Sequence, residues 1–354
     1  MPERLKTEIA AVDIFCGVGG LTKGLCQAGI KVVAGIDFDQ DCEFPFTENN
    51  QAQFHCQDVA KVDPKFVAAL FPKTGFRVLS GCAPCQPFSR YGRTATKRRS
   101  KWSLLSDFAR IAEEVRPDVI TIENVPELTL HPVFKELLSR LTDVGYDLAY
   151  DTLFCPQYGV PQRRKRLVLL ASLHGEIALP LPTYTSFRFP TVRNVLENLP
   201  RLEAGQVDDA DHLHRSSNLS DLNLKRIKRS NPGGTWRDWP KSLRSNCHKL
   251  KSGATFPSVY GRMAWDEPSP TITTQFFGFG NGRFGHPEQD RAISLREGAL
   301  LQSFPKNYRF CDKGSQLSFQ KMGQLIGNAV PVRLGRAIGL AIRKHLKRIE
   351  TNRG

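Results

Sequence analysis

Across 354 residues, no run approaches the ~20 continuous apolar residues that a membrane-spanning helix needs. The amino terminus, "MPERLKTEIAAVDIF", passes straight into a strand-like segment. It lacks the apolar core and cleavage site of a secretory signal, so cytoplasmic residence is the expectation. Acidic residues are in short supply: 35 Asp and Glu face 50 Lys and Arg, and the net charge of +15 favours a polyanionic partner. The nine cysteines are odd in number and scattered, which excludes a fully paired disulfide framework and points to a reducing compartment. No second C-x-x-C accompanies Cys82 and Cys85, and the adjacent Cys247 and His248 are poorly spaced to share one tetrahedral ion, so no metal site is expected. Internal repeats and long low-complexity linkers are missing as well.

What is present is the alternation of a layered α/β chain. The segments "IAAVDIFCG", "KVVAGID", "RVLSGC", "DVITIENV" and "RLVLLAS" read as buried strands. Between them "GGLTKGLCQAG", "SLLSDFARIAEEV" and "PVFKELLSRLTDVG" carry helical periodicity. Strands alternating with helices predict a parallel sheet covered on both faces. From about Leu181 the texture turns loop-rich, aromatic and basic, as in "RSNPGGTWRDWP", which suggests a smaller irregular domain. Helical pattern resumes after about Ser318. The expected division is 1–180, 181–317 and a C-terminal helical segment, 318–354, that packs back onto the first domain.

"DIFCGVGGLTKGL" places Asp13 at a strand end, then Gly17, Gly19 and Gly20, then a helix. Such glycines permit tight turning and close approach of a ligand to backbone and helix N-terminus. Asp37 ends the following strand, where a ribose-binding carboxylate belongs. Read alone, the loop says nucleotide-like cofactor, with NAD and S-adenosylmethionine both open.

"GCAPCQPFS" follows an apolar run and has three readings: a redox dithiol, half of a zinc site, or one reactive thiol with a neighbour. Its companions discriminate. Downstream stand "IENVPE", "PQRRKRL", "RMAWDEPSPTITT", "ISLREGALLQSFP" and "IGNAVP". In this order, with "DIFCGVGG" at the front, the chain resembles the DNA cytosine-C5 methyltransferases from Asp13 to Pro331. Only the region from about Leu181 to Tyr260 has no motif to match.

That resemblance implies an α/β fold, a Rossmann-like S-adenosylmethionine-dependent methyltransferase domain with a smaller irregular target-recognition domain. It implies methyl transfer from S-adenosylmethionine to C5 of a cytosine in a specific duplex DNA sequence, without a metal. Cys85 matches the family's nucleophile and Cys82 does not, being read as a small neighbour supporting the loop. A thiolate adding to C6 makes C5 an enamine-like nucleophile. A free thiol is only slightly ionised at neutral pH, so a positive or dipolar setting is needed, and Arg164 is a candidate contributor. Glu123 matches the residue that shares a proton with N3 as charge builds there. Arg164 and Arg166, taken as alternating on one strand face, would reach toward cytosine O2 and the catalytic loop.

For the cofactor, Phe15, Gly17, Gly19 and Gly20 match the cradle, and Asp37 would hold the ribose hydroxyls. Family members commonly carry Glu there, so this shorter side chain would need a small shift or a water. Asp58 and Val59 would read the adenine edge, and Asn328 and Val330 would close the pocket beside the methionine end.

The target carbon is inaccessible in a base stack, so base flipping is implied. Arg90, Arg93, Lys97, Arg98 and Arg99, directly after the nucleophile, are candidate DNA contacts in a loop that closes over the duplex. Trp236 and Trp239 lie among the basic residues of the second domain and are read as core rather than contact residues. The resemblance implies a bacterial-type modification enzyme acting as a monomer on DNA, with a cognate restriction endonuclease as a further partner. A methyltransferase for tRNA is the alternative; the roughly 95-residue stretch between Arg166 and Arg262 argues for a DNA-reading surface instead.

Overall fold

The computed structural model describes residues 7–84, 103–250, 253, 257–312 and 318–353. By contacts the chain forms two compact units. The first comprises Met1–Phe154, Lys165–Thr183 and Val330–Gly354, and the second Cys155–Arg164 and Tyr184–Ala329.

The first unit is built on a seven-stranded sheet: β1 (Ile9–Ile14), β2 (Lys31–Asp37), β3 (Gln53–Cys56), β4 (Phe76–Gly81), β5 (Val119–Asn124), β6 (Asp147–Phe154) and β7 (Lys165–Ser172). Their spatial order is β3-β2-β1-β4-β5-β7-β6. β1 and β5 are buried at every position, which is why they read as unbroken runs rather than alternating ones. β3 to β5 are parallel along the order, as the alternation predicts. β7 is not: it runs antiparallel to both β5 and β6. The reason is the connection. β6 and β7 are joined by residues 155–164 with no crossover helix, and only an antiparallel pair can be closed that way.

Helices α1 (Gly20–Gln27), α2 (Glu43–Asn50), α3 (Pro64–Leu70), α4 (Ser103–Val115) and α5 (Pro132–Asp143) occupy the crossovers. Proline in the first turn of α3 and α5 removes no intrahelical hydrogen bond, and Asp63 caps α3 by accepting from the Lys65 N–H. Val67, Phe108, Ala112, Phe134 and Leu137 from α3, α4 and α5 bury against Val12, Ile36, Leu79, Ile120 and Leu169 of the sheet.

The second unit is sparse in regular structure: α6 (Val192–Leu196), α7 (Asp221–Lys228), α8 (Asn246–Lys249), α9 (Leu295–Leu301) and α10 (Phe319–Asn328), with short 3-10 turns and isolated bridges. Part of its core is Ile227, Trp236, Trp239, Phe279 and Ala292. Both tryptophans are buried, as expected for core residues. Trp239 Nε1 donates to Ser230 Oγ at 2.9 Å, and the Arg226 guanidinium stands 5.6 Å from the Trp239 ring centre. Elsewhere Arg291 forks onto Glu297 at 2.7 and 2.8 Å, both fully buried. Burial alone would raise the Glu297 carboxyl, yet the Arg291 charge and its hydrogen bonds hold it down at about 2.

The chain returns to the first unit as α11 (Val332–Arg353). By length and composition the segment Phe319–Asn352 would suit a membrane span, but 61% of its apolar window is buried inside the protein. Val332, Leu334, Ile338, Ile342 and Leu346 of α11 are fully buried, and α11 packs on α1. Arg343 donates to Ala28 O at 2.6 Å, and His345 Nε2 meets Ser172 Oγ at 2.7 Å.

The two helix backbones touch at Gly24. A Cβ there would collide with Val332 O and Arg336 N of α11, backbone atoms that cannot rotate away. Gly24→Ala should therefore destabilise the protein by about 1–3 kcal/mol through overpacking. Ordinarily alanine would improve a helix interior, so an unchanged or raised urea midpoint would refute this close packing.

Candidate active site

β1 leads to β2 on one side of the sheet, and its other neighbour is β4. The order reverses between β1 and β4, so the loops leaving their C-terminal ends diverge and open a crevice, the usual ligand position in such a sheet. Residues 15–19 leave β1, residues 82–84 leave β4, and β5 ends beside them at Asn124.

The first loop is tightly turned. Phe15 has φ of 60°, left-handed backbone that a side chain rarely adopts, while Gly17 and Gly19 have φ of 50° and 83°. Ile36 O accepts from both Phe15 N (2.8 Å) and Cys16 N (3.3 Å), which fixes the turn to β2. Two carboxylates brace it. Asp37 Oδ2 accepts from the Gly17 N–H at 2.9 Å and Oδ1 from Asp39 N at 3.0 Å. Asp13 accepts from Thr22 Oγ1 (2.6 Å) and Ser80 Oγ (2.9 Å), joining β1, α1 and β4. Burial raises Asp37 and pushes Asp13 up to about 6, against the hydrogen bonds that pull each down.

This loop has the features of a cofactor cradle. The space where a Gly17 Cβ would stand is open, and Gly19 begins α1 without a side-chain cap. Next to Asp37, the Phe38 ring is 69% exposed at the end of β2. Sequence reasoning passed over Phe38; a large apolar residue directly after a strand-end carboxylate was the available signal. Asp58 and Val59 follow β3, whose Cys56 pairs with Asp37. The Asp58 side chain caps the following turn by accepting from Ala60 N at 3.1 Å.

At the end of β4, Cys82 N donates to Ile14 O at 3.3 Å and Asn124 Nδ2 donates to Ala83 O at 3.1 Å. Thus the strand end that leads to position 85 is pinned from both sides. Cys85 itself, with Arg90, Arg93, Lys97, Arg98 and Arg99, lies outside the described residues.

Glu123 is 2% exposed at the end of β5. Its Oε2 accepts from the Cys82 thiol at 2.9 Å. Arg166 Nε lies 2.9 Å from Oε1, an ion pair whose N–H is not aimed as a hydrogen bond, and Oε1 has no hydrogen-bond partner among the described residues. Cys82 was expected to be an apolar prop, so its bond to Glu123 is a correction. Nothing local signals it, because the partners are 41 residues apart.

Arg164 and Arg166 take different partners rather than one shared site. β7 begins at Lys165, the residue opposite Phe154, and Arg164 precedes it within the second unit. Its guanidinium is buried and donates to Ile272 O (3.0 Å) and Gly327 O (3.5 Å). Around it, Gln162 Nε2 donates to Gln302 Oε1 at 2.8 Å, and Gln302 Nε2 donates to Ala329 O at 3.1 Å. Residues 161–164, 269–274, 300–304 and 326–329 are thereby stitched together inside the second unit. Asn328 ends α10, exposed, while Val330 is buried at the start of the segment returning to the first unit. α7 exposes Lys225 and Lys228, followed by exposed Arg229.

Comparison with known proteins agrees across the chain. The model of the C-5 cytosine-specific DNA methylase family matches residues 9–344. The type II methylase M.HgiDII of Herpetosiphon aurantiacus is 48% identical over 341 residues, covering 96% of each chain. The type II methyltransferase M.Eco47II of Escherichia coli is 31% identical over 94% of this chain and 78% of its own. Among solved structures, a prophage-encoded DNA modification methyltransferase from E. coli superposes with a TM-score of 0.74 at 19% identity, covering 96% of this chain and 99% of its own. The S. pombe Dnmt2 methyltransferase does so at 0.61 and 18%, covering 97% and 100%. The two structures share the fold.

Asp13 makes the cost of the braced loop measurable. Its carboxyl ionises near pH 4 when unfolded and near 6 when folded, so between these values the folded state holds the extra proton. Stability is then lost as pH rises through that window, by at most ~1.4 kcal/mol per pH unit. Asp13→Asn removes this loss, so its stability relative to wild type should rise between pH 4 and 6 in denaturant titrations. A difference that does not change with pH would refute the buried, late-ionising carboxyl.

Proposed function

The chain belongs to the C-5 cytosine-specific DNA methylases and is a DNA cytosine-5 methyltransferase of the type II modification kind, and we propose that it works through a covalent bond between Cys85 and cytosine C6. The observation that carries this reading is Glu123: a buried carboxylate at the end of β5, beside the strand leading to Cys85, with one oxygen that is ion-paired to Arg166 but accepts no hydrogen bond among the described residues. A buried acceptor left without a donor is costly unless a substrate supplies one.

In the reaction the Cys85 thiolate adds to C6 and pushes electron density toward N3 and C5. Glu123 shares a proton with N3 as that charge builds, with Arg166 beside it fixing the carboxylate. When bound, S-adenosylmethionine supplies an electrophilic methyl group on a sulfonium. Loss of the C5 proton then expels Cys85 and restores the ring. Phe15, Gly17, Gly19 and Gly20 would cradle the cofactor, and the uncapped start of α1 would suit an anionic group of it. Asp37 has lone pairs left for ribose hydroxyls, and Phe38, Asp58 and Val59 would hold the adenine. Asn328 and Val330 are proposed for the methionine end.

Arg164 is better suited to bracing than to the base, because its donors already serve two carbonyls. Target cytosine is proposed to flip out of the duplex, with Arg90, Arg93, Lys97, Arg98 and Arg99 closing on the DNA. Lys225, Lys228 and Arg229 are proposed to meet phosphates in a target-reading domain spanning 181–317. Action as a monomer in the cytoplasm, with a cognate endonuclease for the same site, belongs to this reading.

Cys85→Ser should abolish methyl transfer while S-adenosylmethionine still binds, and substantial turnover by it would overturn the mechanism. A duplex with 5-fluorocytosine at the target should trap an adduct on Cys85. Bisulfite sequencing of DNA from expressing cells reads both activity and context; modified RNA with unmodified DNA would overturn the substrate.

A further inference from the structure

We propose that Cys82 is a positioning residue: its thiol holds Glu123 Oε2 so that Oε1, beside Arg166 but accepting no hydrogen bond among the described residues, is left to meet the cytosine ring. The inference rests on Glu123 acting at the base, as proposed above.

Three observations carry it. The sulfur starts from a fixed backbone, since Cys82 N is bonded to Ile14 O and the adjoining Ala83 O to Asn124 Nδ2. It stands 2.9 Å from Oε2, and among the described residues it is the one side chain that gives this carboxylate a directed hydrogen bond. Arg166 is equally close, at 2.9 Å from Oε1, but its Nε–H points elsewhere.

A guanidinium beside a carboxylate tends toward the two-pronged fork, which would occupy both oxygens on the Arg166 side. Glu123 is too buried for water to hold it otherwise. The Cys82 bond is what opposes that rotation. Sulfur is a weak donor, though a carboxylate acceptor in a buried setting makes the bond count for more. The C-x-x-C spacing thus has a purpose with no redox step: one thiol attacks and the other, three residues earlier, aims the carboxylate.

Steady-state and single-turnover methylation by Cys82→Ala, Cys82→Ser, Glu123→Gln and the Cys82→Ala/Glu123→Gln double variant test this. Removing one hydrogen bond to a buried charged group predicts a roughly ten-fold fall in kcat for Cys82→Ala. KM for S-adenosylmethionine should stay unchanged, and the denaturant midpoint should fall by no more than the loss of one such bond. Cys82→Ser, which keeps a donor, should recover most of the rate, and Cys82→Ala should cost nothing further once Glu123 is Gln. The proposal is overturned by wild-type turnover in Cys82→Ala, by a folded but equally impaired Cys82→Ser, or by the same loss in the Glu123→Gln background. Wild-type turnover in Glu123→Gln would instead overturn the role given to Glu123, whatever Cys82 does.

Discussion

The antiparallel pairing of β7 with β5 decides which side chains can meet at the active end of the sheet. Glu123 closes β5 opposite Val168, and Arg166 lies two residues before Val168 on β7. Because β7 runs against β5, its first residues lie level with the last residues of β5. A parallel β7 would have put Arg166 at the far end of the sheet, some five residues of strand away from the carboxylate. The same reversal frees residues 155–164 from serving as a crossover and lets them join the second unit. One change of strand direction therefore supplies the partner of Glu123 and threads the chain between its two units.

Beside this, the crevice between β1 and β4 depends on carboxylates held against their preference. Burial raises both Asp13 and Asp37, and the neighbouring Asp37 charge raises Asp13 further, so neither sits there for its own stability. What they provide is rigidity. Asp13 ties β1, α1 and β4 together, and Asp37 ties the turn at Gly17 to β2. Phe15 in left-handed backbone is a strained residue kept in place by these ties. A loop fixed so firmly loses little entropy when a ligand arrives, which is the physical benefit of preorganisation.

Much of this was legible in the sequence, and the failures have physical causes. Strands buried on both faces announce themselves as apolar runs, so β1, β2, β4, β5 and β7 were readable. β3 and β6 were not: β3 has four residues, none of them buried, and β6 carries Asp147, Tyr150 and Asp151 along a largely exposed edge. The glycine loop and Asp37 were read from spacing, because strand, turn and strand are consecutive. Arg164 and Arg166 were placed together by period-two alternation, which cannot tell that their guanidiniums take separate partners, Ile272 O for one and Glu123 for the other. The Cys82 bond to Glu123 was missed because it comes from β4 and β5 being neighbours in the sheet, a fact of topology that its own flanking residues do not contain.

The basic balance of the chain needs the same care. Arg226, Arg262, Arg291 and Arg296 of the second unit are all buried, and each is spent on carbonyls, aromatic rings or carboxylates within that unit. A unit with so little sheet and helix leaves many backbone carbonyls without ladder partners, and the five-donor guanidinium is the side chain best able to gather several at once. Arg262 does so with carbonyls of Ile227, Ser230, His286 and Gln289. Hence part of the net charge of +15 is structural and unavailable to a polyanion. Attraction to DNA must come from the exposed remainder, of which Lys225, Lys228 and Arg229 form one contiguous stretch. Lys225 and Lys228 stand on the helix whose inner side carries Arg226 and Ile227 into the tryptophan core, and Arg229 follows directly after it. Exposed charge and buried core are thus two faces of one short helix, and a change of outer residues can alter the surface charge without loosening what holds the helix.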